Sequence, residues 1–245
     1  MTKALSLVFA LFLFGANTMA QEENTEHRFY DLYLLLNDGE YQKCVNKASR
    51  IVGRDKYRRE PLPYLYMSMA YEKMYDIVDY RIENPGVLKD ACSAAYKYRK
   101  KDKSDLFLEQ YKDFFEDLRI KAKAEGLECF EDDKYSKAKS WFYKTVKFFP
   151  EDYGAWAMLA ISQYYAKDKS GGDLSFQKMK KALDDRYKMF DMPDADSDFF
   201  KGMELYSNYL IKIGQSDSAR ATINWADSAI EESNSKRMEF KQHRF

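Results

Sequence analysis

Apolar side chains recur every three or four residues along much of the chain, which is the spacing of one face of an α-helix. The longest such stretch runs from Asp105 to Asp132, contains no proline and has Gly126 as its only glycine. Its apolar positions are Leu106, Tyr111, Phe114, Phe115, Leu118 and Ala122. The pattern predicts one long helix, although a separate additional helix would fit the same spacing.

Few residues interrupt this pattern. The 245 residues include only ten glycines and five prolines, whereas 16% are aromatic. Such a composition is unlike that of a loop-rich or all-β protein. Asn84-Pro85-Gly86 breaks the chain between two helical segments, and Pro150 ends another, because a helix normally stops before proline. The sequence therefore predicts an all-α fold.

The segment Arg119–Asp152 has small, aromatic and proline residues at defined positions of a 34-residue unit. Positions 8, 17, 20, 24 and 32 of this unit are Gly126, Tyr135, Ala138, Phe142 and Pro150. The two small residues remove side-chain volume where paired helices cross, and the two aromatic rings fill the space beside them.

This spacing resembles that of the tetratricopeptide repeat family, whose unit is a helix–turn–helix. The resemblance implies a helical-hairpin solenoid of about four to five repeats, since a single repeat cannot bury its own faces. Trp156, in a unit starting at Tyr153, and Ala219 and Ala226, near the C-terminus, fit the same pattern. The units are expected near residues 25–56, 61–101, 105–152, 153–190 and 198–232.

The unit that starts at Tyr153 carries a pair of glycines, Gly171 and Gly172. Such a pair is typical of a loop, so we expect an insertion of about ten residues around Lys167–Asp173. Asp173 would then cap the second helix of the unit.

In the resembled family, ligands lie against the first helices of successive repeats, which line a concave groove. Carried over position by position, the groove residues are Leu62, Leu65, Met69, Lys123, Leu127, Phe130, Ala157, Ile161, Tyr164, Tyr165, Lys201, Asn208 and Lys212. Aromatic and methionine side chains are common at protein interfaces, which favours a groove for an apolar or aromatic peptide. The alternative is that several of these side chains are buried against the insertions.

The first twenty residues predict a signal peptide. Lys3 is followed by an apolar run from Ala4 to Phe14, and Thr18-Met19-Ala20 offers small residues for cleavage after Ala20. An uncleaved signal anchor is the alternative. Export without N-glycosylation sequons or an even set of cysteines favours a bacterial periplasm. A basic tail is expected at residues 233–245.

Neither metal nor cofactor chemistry is predicted from the residues. The forty basic and forty acidic residues cancel, which argues against nucleic acid as a partner. No phosphate loop, nucleophile elbow or cysteine–histidine pair is present, so we expect no enzymatic activity. The alternating aspartates of Asp191–Asp198 could begin a calcium loop, but the required glycine and glutamate are missing. Ser197 is instead expected to cap a helix starting at Asp198.

Basic runs at Arg54–Arg59, Lys97–Lys101 and Lys236–Arg244 are interpreted as solvated helix ends. Contact with an acidic protein patch or with a membrane surface is the alternative reading.

Taken together, these patterns predict a non-catalytic, exported scaffold or adaptor that binds a protein partner of the bacterial cell envelope through the repeat groove. The alternative is a binding module for glycan or peptidoglycan that uses the aromatic residues of the groove.

Overall fold

The computed structural model describes residues 29–103, 109–185 and 192–230. These residues form α-helices joined by short turns and contain no β-strand, which confirms the predicted all-α class. The predicted signal peptide (1–20) and basic tail (233–245) lie outside the described residues. The chain divides into two compact units, Met1–Val87 and Leu88–Phe245.

Among its described residues, the first unit contains four α-helices and one short 3₁₀ helix at Asp55–Tyr57. The four are α1 (Tyr30–Asn37), α2 (Tyr41–Val52), α3 (Leu62–Asp76) and α4 (Val78–Glu83). Helices α1, α2 and α3 pack on one another around Leu32, Cys44 and Leu65, none of which is accessible to solvent. Cys44 is thus a free thiol buried in the core. Its burial raises the pKa of the thiol to about 12.

The described part of the second unit contains seven helices. They are α5 (Val87–Lys101, starting at the boundary), α6 (Lys112–Glu131), α7 (Tyr135–Phe148), α8 (Tyr153–Tyr165), α9 (Lys169–Asp184), α10 (Pro193–Lys212) and α11 (Ser216–Ala229). Helix α6 packs on α7, α8 on α9, and α10 on α11, while α8 also packs on α7 and α10. Three successive helical hairpins, α6/α7, α8/α9 and α10/α11, therefore share one core.

One turn geometry recurs in four hairpins, α1/α2, α6/α7, α8/α9 and α10/α11. Each turn has one residue in the left-handed region, at Gly39, Asp133, Lys167 and Gly214 (φ 75°, 58°, 63° and 79°). The next amide always donates to the carbonyl five residues back, at 2.8–2.9 Å. This is a Schellman motif, which closes the first helix and starts the second two residues later.

Close approach within the hairpins depends on small residues. A Cβ added to Gly126 would lie 2.9 Å from the ring of Phe142, so α6 and α7 could not pack as they do with any side chain there. Ala138, Ala219 and Ala226 are also buried at helix contacts.

The insertion expected around Lys167–Asp173 is wrong. Helix α9 begins at Lys169, and the side chain of Asp168, not Asp173, caps it by accepting from the Gly171 amide at 3.1 Å. Gly172 lies inside this helix, where an added Cβ would be 2.9 Å from the ring of Tyr164. The glycine here serves packing between α8 and α9 instead of forming a loop.

Three other boundaries differ from expectation. Helix α10 begins at Pro193, so Ser197 lies within the helix and does not cap it. The long helix expected from Asp105 begins at Lys112, and Leu106 lies outside the described residues. The expected 61–101 unit is divided by the boundary between the two compact units, and the short helix α4 was not predicted.

Candidate functional site

The predicted groove residues divide by exposure. Those of α6, α8 and α10 that are buried are Lys123, Phe130, Ala157, Ile161 and Tyr164; in α3, Leu62 and Leu65 are buried. Met69, Leu127, Tyr165 and Lys201 are half-buried, whereas Asn208 and Lys212 are exposed. The buried members contribute to packing between helices, and only the others offer surface to a ligand.

Helices α6, α8 and α10 bring several of these residues together. Phe130, Tyr135, Tyr165 and Tyr209 form the aromatic patch. The ring of Tyr165 lies 5.6 Å from Phe130, 4.9 Å from Tyr135 and 5.8 Å from Tyr209, between ring centroids. The ammonium of Lys212 lies 5.5 Å above the same ring, within cation–π range. Residues predicted from three separate units thus meet at Tyr165.

Tyr164 and Tyr165 are adjacent in sequence but have different surroundings. Tyr164 stacks on Tyr206 and Tyr209 at 4.9 Å and 5.3 Å, and its hydroxyl donates to Asp173 at 2.6 Å. Burial, followed by the bond to Asp173, raises the pKa of Tyr164. Successive helix residues point about 100° apart, so when Tyr164 faces the core, Tyr165 faces the surface.

A cavity of about 400 Å³ opens beside the aromatic patch, between the turns that precede α7 and α9. Its lining residues are Asp133, Lys134, Tyr135, Ser136, Lys137, Tyr165, Ala166 and Lys167. The Tyr135 hydroxyl donates to the Asp133 carboxylate, and this bond raises the pKa of Tyr135 to about 12. The tyrosine therefore stays protonated, and the cavity combines two aromatic rings with polar and cationic groups.

Toward the N-terminal side of the same three helices lies a cluster of five charged side chains, the ionic network. It consists of Arg119 and Lys123 of α6, Asp152 at the N-cap of α8, and Asp194 and Asp198 of α10. Arg119 donates to Asp152 at 2.8 Å and to both oxygens of Asp194 at 2.6 and 2.8 Å. Lys123 lies 2.6 Å from Asp198 and also pairs with Asp152 and Asp194.

Burial and pairing compete in setting the pKa values of this network. Burial alone would raise the pKa of Asp194, but the hydrogen bond from Arg119 and the charge of Lys123 lower it to about 2. The pKa of Asp152 is lowered for a similar reason, with Lys123 the largest influence against burial. At Asp198, burial outweighs Lys123 and the pKa is raised. The network contains three carboxylates and two cations, so one negative charge is in excess when all three carboxylates are ionised.

The network accounts for the aspartates that resemble a calcium loop. Asp194 and Asp198 pair with cations, and Asp196 accepts a hydrogen bond from the Tyr153 hydroxyl. Asp191 lies outside the described residues. Within the described ranges, no group of three or more histidine, cysteine, aspartate or glutamate residues is arranged to hold a metal ion.

Sequence reasoning missed the ionic network and assigned Lys123 to the groove instead. A signal was present, since Arg119 and Lys123 are four residues apart on one helix, and so are Asp194 and Asp198 on another. That spacing places each pair on one helix face. The spacing does not reveal that this face of α6 meets this face of α10.

None of the described helices combines the length and apolar content needed to cross a membrane. No protein-family model, curated protein or solved structure matches the chain. A functional interpretation therefore depends on the residues and on their arrangement in space.

Proposed function

We propose that this chain is a non-catalytic, exported scaffold or adaptor of the tetratricopeptide-repeat type. It binds a protein partner of the bacterial cell envelope through the aromatic patch. Groove residues of three successive hairpins, Phe130 of α6, Tyr165 of α8 and Lys212 of α10, meet at the ring of Tyr165. This convergence is the observation that carries the proposal.

Recurrence of the turn supports the repeat interpretation. The left-handed residues Asp133 and Lys167 are 34 residues apart (167 − 133), which is the length of the resembled repeat. In each of these two hairpins a glycine lies against an aromatic ring of the partner helix, Gly126 against Phe142 and Gly172 against Tyr164. Helices α6 to α11 would then be three consecutive repeats, and α1/α2 would be a fourth.

The composition of the aromatic patch supports protein binding. Tyrosine provides a large contact area with few rotatable bonds, so little side-chain entropy is lost when a partner binds. Neighbouring rings already hold Tyr165 and Tyr209 in place, which lowers the cost of association further. Half-buried Leu127 and exposed Lys212 extend the surface with apolar and cationic groups.

Export and the envelope partner depend on the sequence pattern of Lys3 to Ala20, which predicts delivery across the inner membrane. The charged residues of the ionic network pair with one another, which agrees with a stabilising role and not with ligand recognition.

Crosslinking in cells, followed by capture of the tagged chain, tests the proposal. The wild-type chain should enrich one or more envelope proteins, and Tyr165→Ala with Tyr209→Ala should lose them. Tyr143→Ala is the matched control, since Tyr143 is 49% exposed on α7 and lies outside the aromatic patch. Recovery of the wild-type chain without an enriched partner, or equal capture by all variants, would contradict the proposal.

A glycan ligand is the second candidate, because sugar rings stack on exposed aromatic faces and the cavity of about 400 Å³ lies beside Tyr165. Binding to isolated cell-wall fragments distinguishes the two candidates. A glycan site predicts binding that Tyr165→Ala abolishes, whereas Tyr164→Ala acts only through the packing of α8. A protein site predicts no binding to the fragments.

A further inference from the structure

The first unit contains a cavity of about 660 Å³ that is separate from the aromatic patch. Its lining consists of two sets of side chains, an apolar side and a basic side. The apolar residues are Phe29, Leu35, Ile51 and Tyr57, and the charged or polar residues are Asp31, Lys43, Asn46, Lys47, Arg50 and Arg54. A volume of this size is typical of ligand-binding cavities.

Helix α2 and the residues just after it form the basic side. Lys43, Lys47 and Arg50 follow one another on α2 at intervals of four and three residues, which is the spacing of one helix face, and Arg54 lies just beyond the helix end at Val52. Arg54 also begins the basic run Arg54–Arg59, and Tyr57 of the same run contributes to the apolar side. Part of the basic run Arg54–Arg59 therefore lines the cavity.

Two of the four cations that line this cavity form ion pairs with carboxylates of the described residues, and the other two do not. Lys47 pairs with Asp31, and Lys43 lies 3.0 Å from Glu40. Neither Arg50 nor Arg54 takes part in an ion pair with the described residues, and both are exposed. Among the described residues, four cations and one carboxylate line the cavity, which gives them a net charge of +3 (4 − 1). Such a concave cationic lining concentrates anions.

We infer that this cavity binds an acidic peptide segment of a partner protein. Carboxylates of the segment pair with the guanidinium groups of Arg50 and Arg54, whose planar forks match carboxylate geometry. An apolar side chain of the segment enters the recess and contacts Leu35, Ile51 and Tyr57. This site would act independently of the aromatic patch, which belongs to the second unit.

The shape of the site favours a peptide over a membrane surface. Phe29 is buried and Leu35, Ile51 and Tyr57 are half-buried, whereas Lys43, Arg50 and Arg54 are exposed. A flat array of lipid headgroups would therefore meet the cations before the apolar side chains. A peptide side chain can enter the recess while the flanking carboxylates remain at its rim. Both parts of the lining are then used at once.

Fluorescence anisotropy with the full chain tests this inference. The probe is a labelled peptide, Glu-Glu-Phe-Glu-Glu, and the control peptide replaces every glutamate with glutamine. We expect the acidic peptide to bind at least about tenfold more tightly than the control, and its affinity to fall with added salt. The variant Arg50→Glu with Arg54→Glu should lose at least about tenfold in affinity for the acidic peptide.

Arg58→Glu with Arg59→Glu is the matched control. It makes the same charge change at two exposed residues of the same run that do not line the cavity, so its affinity should change less than about twofold. Circular dichroism checks that each variant keeps its helical content. Equal losses in the two double variants would show diffuse attraction to a basic surface and would overturn the inference.

Two further results would also overturn it. Arginine-dependent binding to vesicles with anionic lipid, in the absence of peptide binding, would assign the basic side to a membrane. Peptide binding that appears only after Glu22, Glu23 and Glu26 are changed to glutamine would show that the chain's own acidic residues compete for the cavity. Binding by the wild-type chain, lost only in the Arg50/Arg54 variant, supports the proposed site.

Discussion

The two sides of the bundle formed by α6, α8 and α10 use opposite chemistry. Toward the N-terminal side of these helices, Arg119 and Asp152 are almost completely buried, at 2% and 0% exposure. Toward the C-terminal side, Tyr135, Tyr165 and Tyr209 are only half-buried. The charged groups of the ionic network pair with one another, whereas the rings of the aromatic patch keep part of their surface exposed. The comparison indicates that the ionic network holds the three helices together, whereas the aromatic patch offers surface to a binding partner.

The largest expected effect comes from Arg119→Met. The substitution leaves Asp152 and Asp194 with fewer partners in a buried site, which typically costs about 3–5 kcal/mol of the free energy of unfolding. Urea denaturation measures it. Lys201→Met is the control, because Lys201 pairs with Glu131 at a surface site where both side chains are at least 40% exposed, and should cost less than about 1 kcal/mol. Equal losses would show that the ionic network does not fix the helices.

Glycine substitutions compare how tightly the two sides are packed. A Cβ at Gly154, beside the ionic network, would overlap the backbone carbonyl of Ala195 and lie 2.9 Å from the Cβ of Asp198. A Cβ at Gly172, beside the aromatic patch, would meet only the ring of Tyr164, at 2.9 Å. Since a ring can shift more easily than backbone, Gly154→Ala should cost about 2–3 kcal/mol and Gly172→Ala about 1 kcal/mol. Urea denaturation of both variants measures the two losses. A larger loss of stability in Gly172→Ala than in Gly154→Ala would contradict the prediction and would show that the aromatic side is the more rigid.

Acidification should weaken the ionic network while leaving the aromatic patch unaffected. The pKa of Asp194 is about 2 in the folded chain, below its ordinary value of 3.8. Its contribution to stability is therefore present above about pH 5 and is lost as the pH falls toward 2. Asp198, whose pKa is raised, acts in the opposite direction and reduces the loss.

Asp194→Asn isolates this contribution. Between pH 5 and pH 2 the variant should lose about 1 kcal/mol less stability than the wild type, after allowance for the 35% exposure of the Asp194 side chain. Urea denaturation over this pH range measures the difference. Parallel pH profiles would contradict the lowered pKa.

The smallest effect concerns the turn beside the aromatic patch. Lys167 adopts φ 63°, where glycine is favoured over residues with a Cβ. Lys167→Gly should raise the midpoint of thermal unfolding, with a gain of about 0.5–1 kcal/mol, because relief of strain exceeds the added freedom of the unfolded chain. Gly214→Ala, at φ 79° in the equivalent turn, should have the opposite sign. A loss of stability in Lys167→Gly would contradict this prediction and would mean that contacts of the lysine side chain stabilise the fold by more than the backbone strain destabilises it.

The sequence predicted helices and small packing positions more successfully than it predicted which side chains are exposed. Gly126 and Phe142 lie on paired helices, at positions that the resemblance to a 34-residue repeat assigns to packing. The Gly171-Gly172 pair misled the prediction because glycine is used both in loops and at close helix contacts, and only the ring of Tyr164 distinguishes the two uses.

The ionic network could not be predicted, because it joins residues up to 79 positions apart (198 − 119) through the packing of three helices. Lys123 illustrates the difficulty. A lysine on a first helix is normally a surface residue, and its burial depends on three distant aspartates. For the aromatic patch, the resemblance placed Phe130, Tyr165 and Lys212 in one groove, and these side chains lie together in the fold. The burial of Tyr164 depends on the rings of Tyr206 and Tyr209, which spacing along the chain does not reveal.

The division into two compact units has a spectroscopic consequence. All three tryptophans of the chain, Trp141, Trp156 and Trp225, lie in Leu88–Phe245. Indole emission excited at long wavelength therefore reports melting of that portion alone, while far-ultraviolet ellipticity averages over both. If the two optical signals change together during denaturation, the portions melt as one cooperative block. If they separate, the interval between their midpoints measures how independently the N-terminal portion holds together.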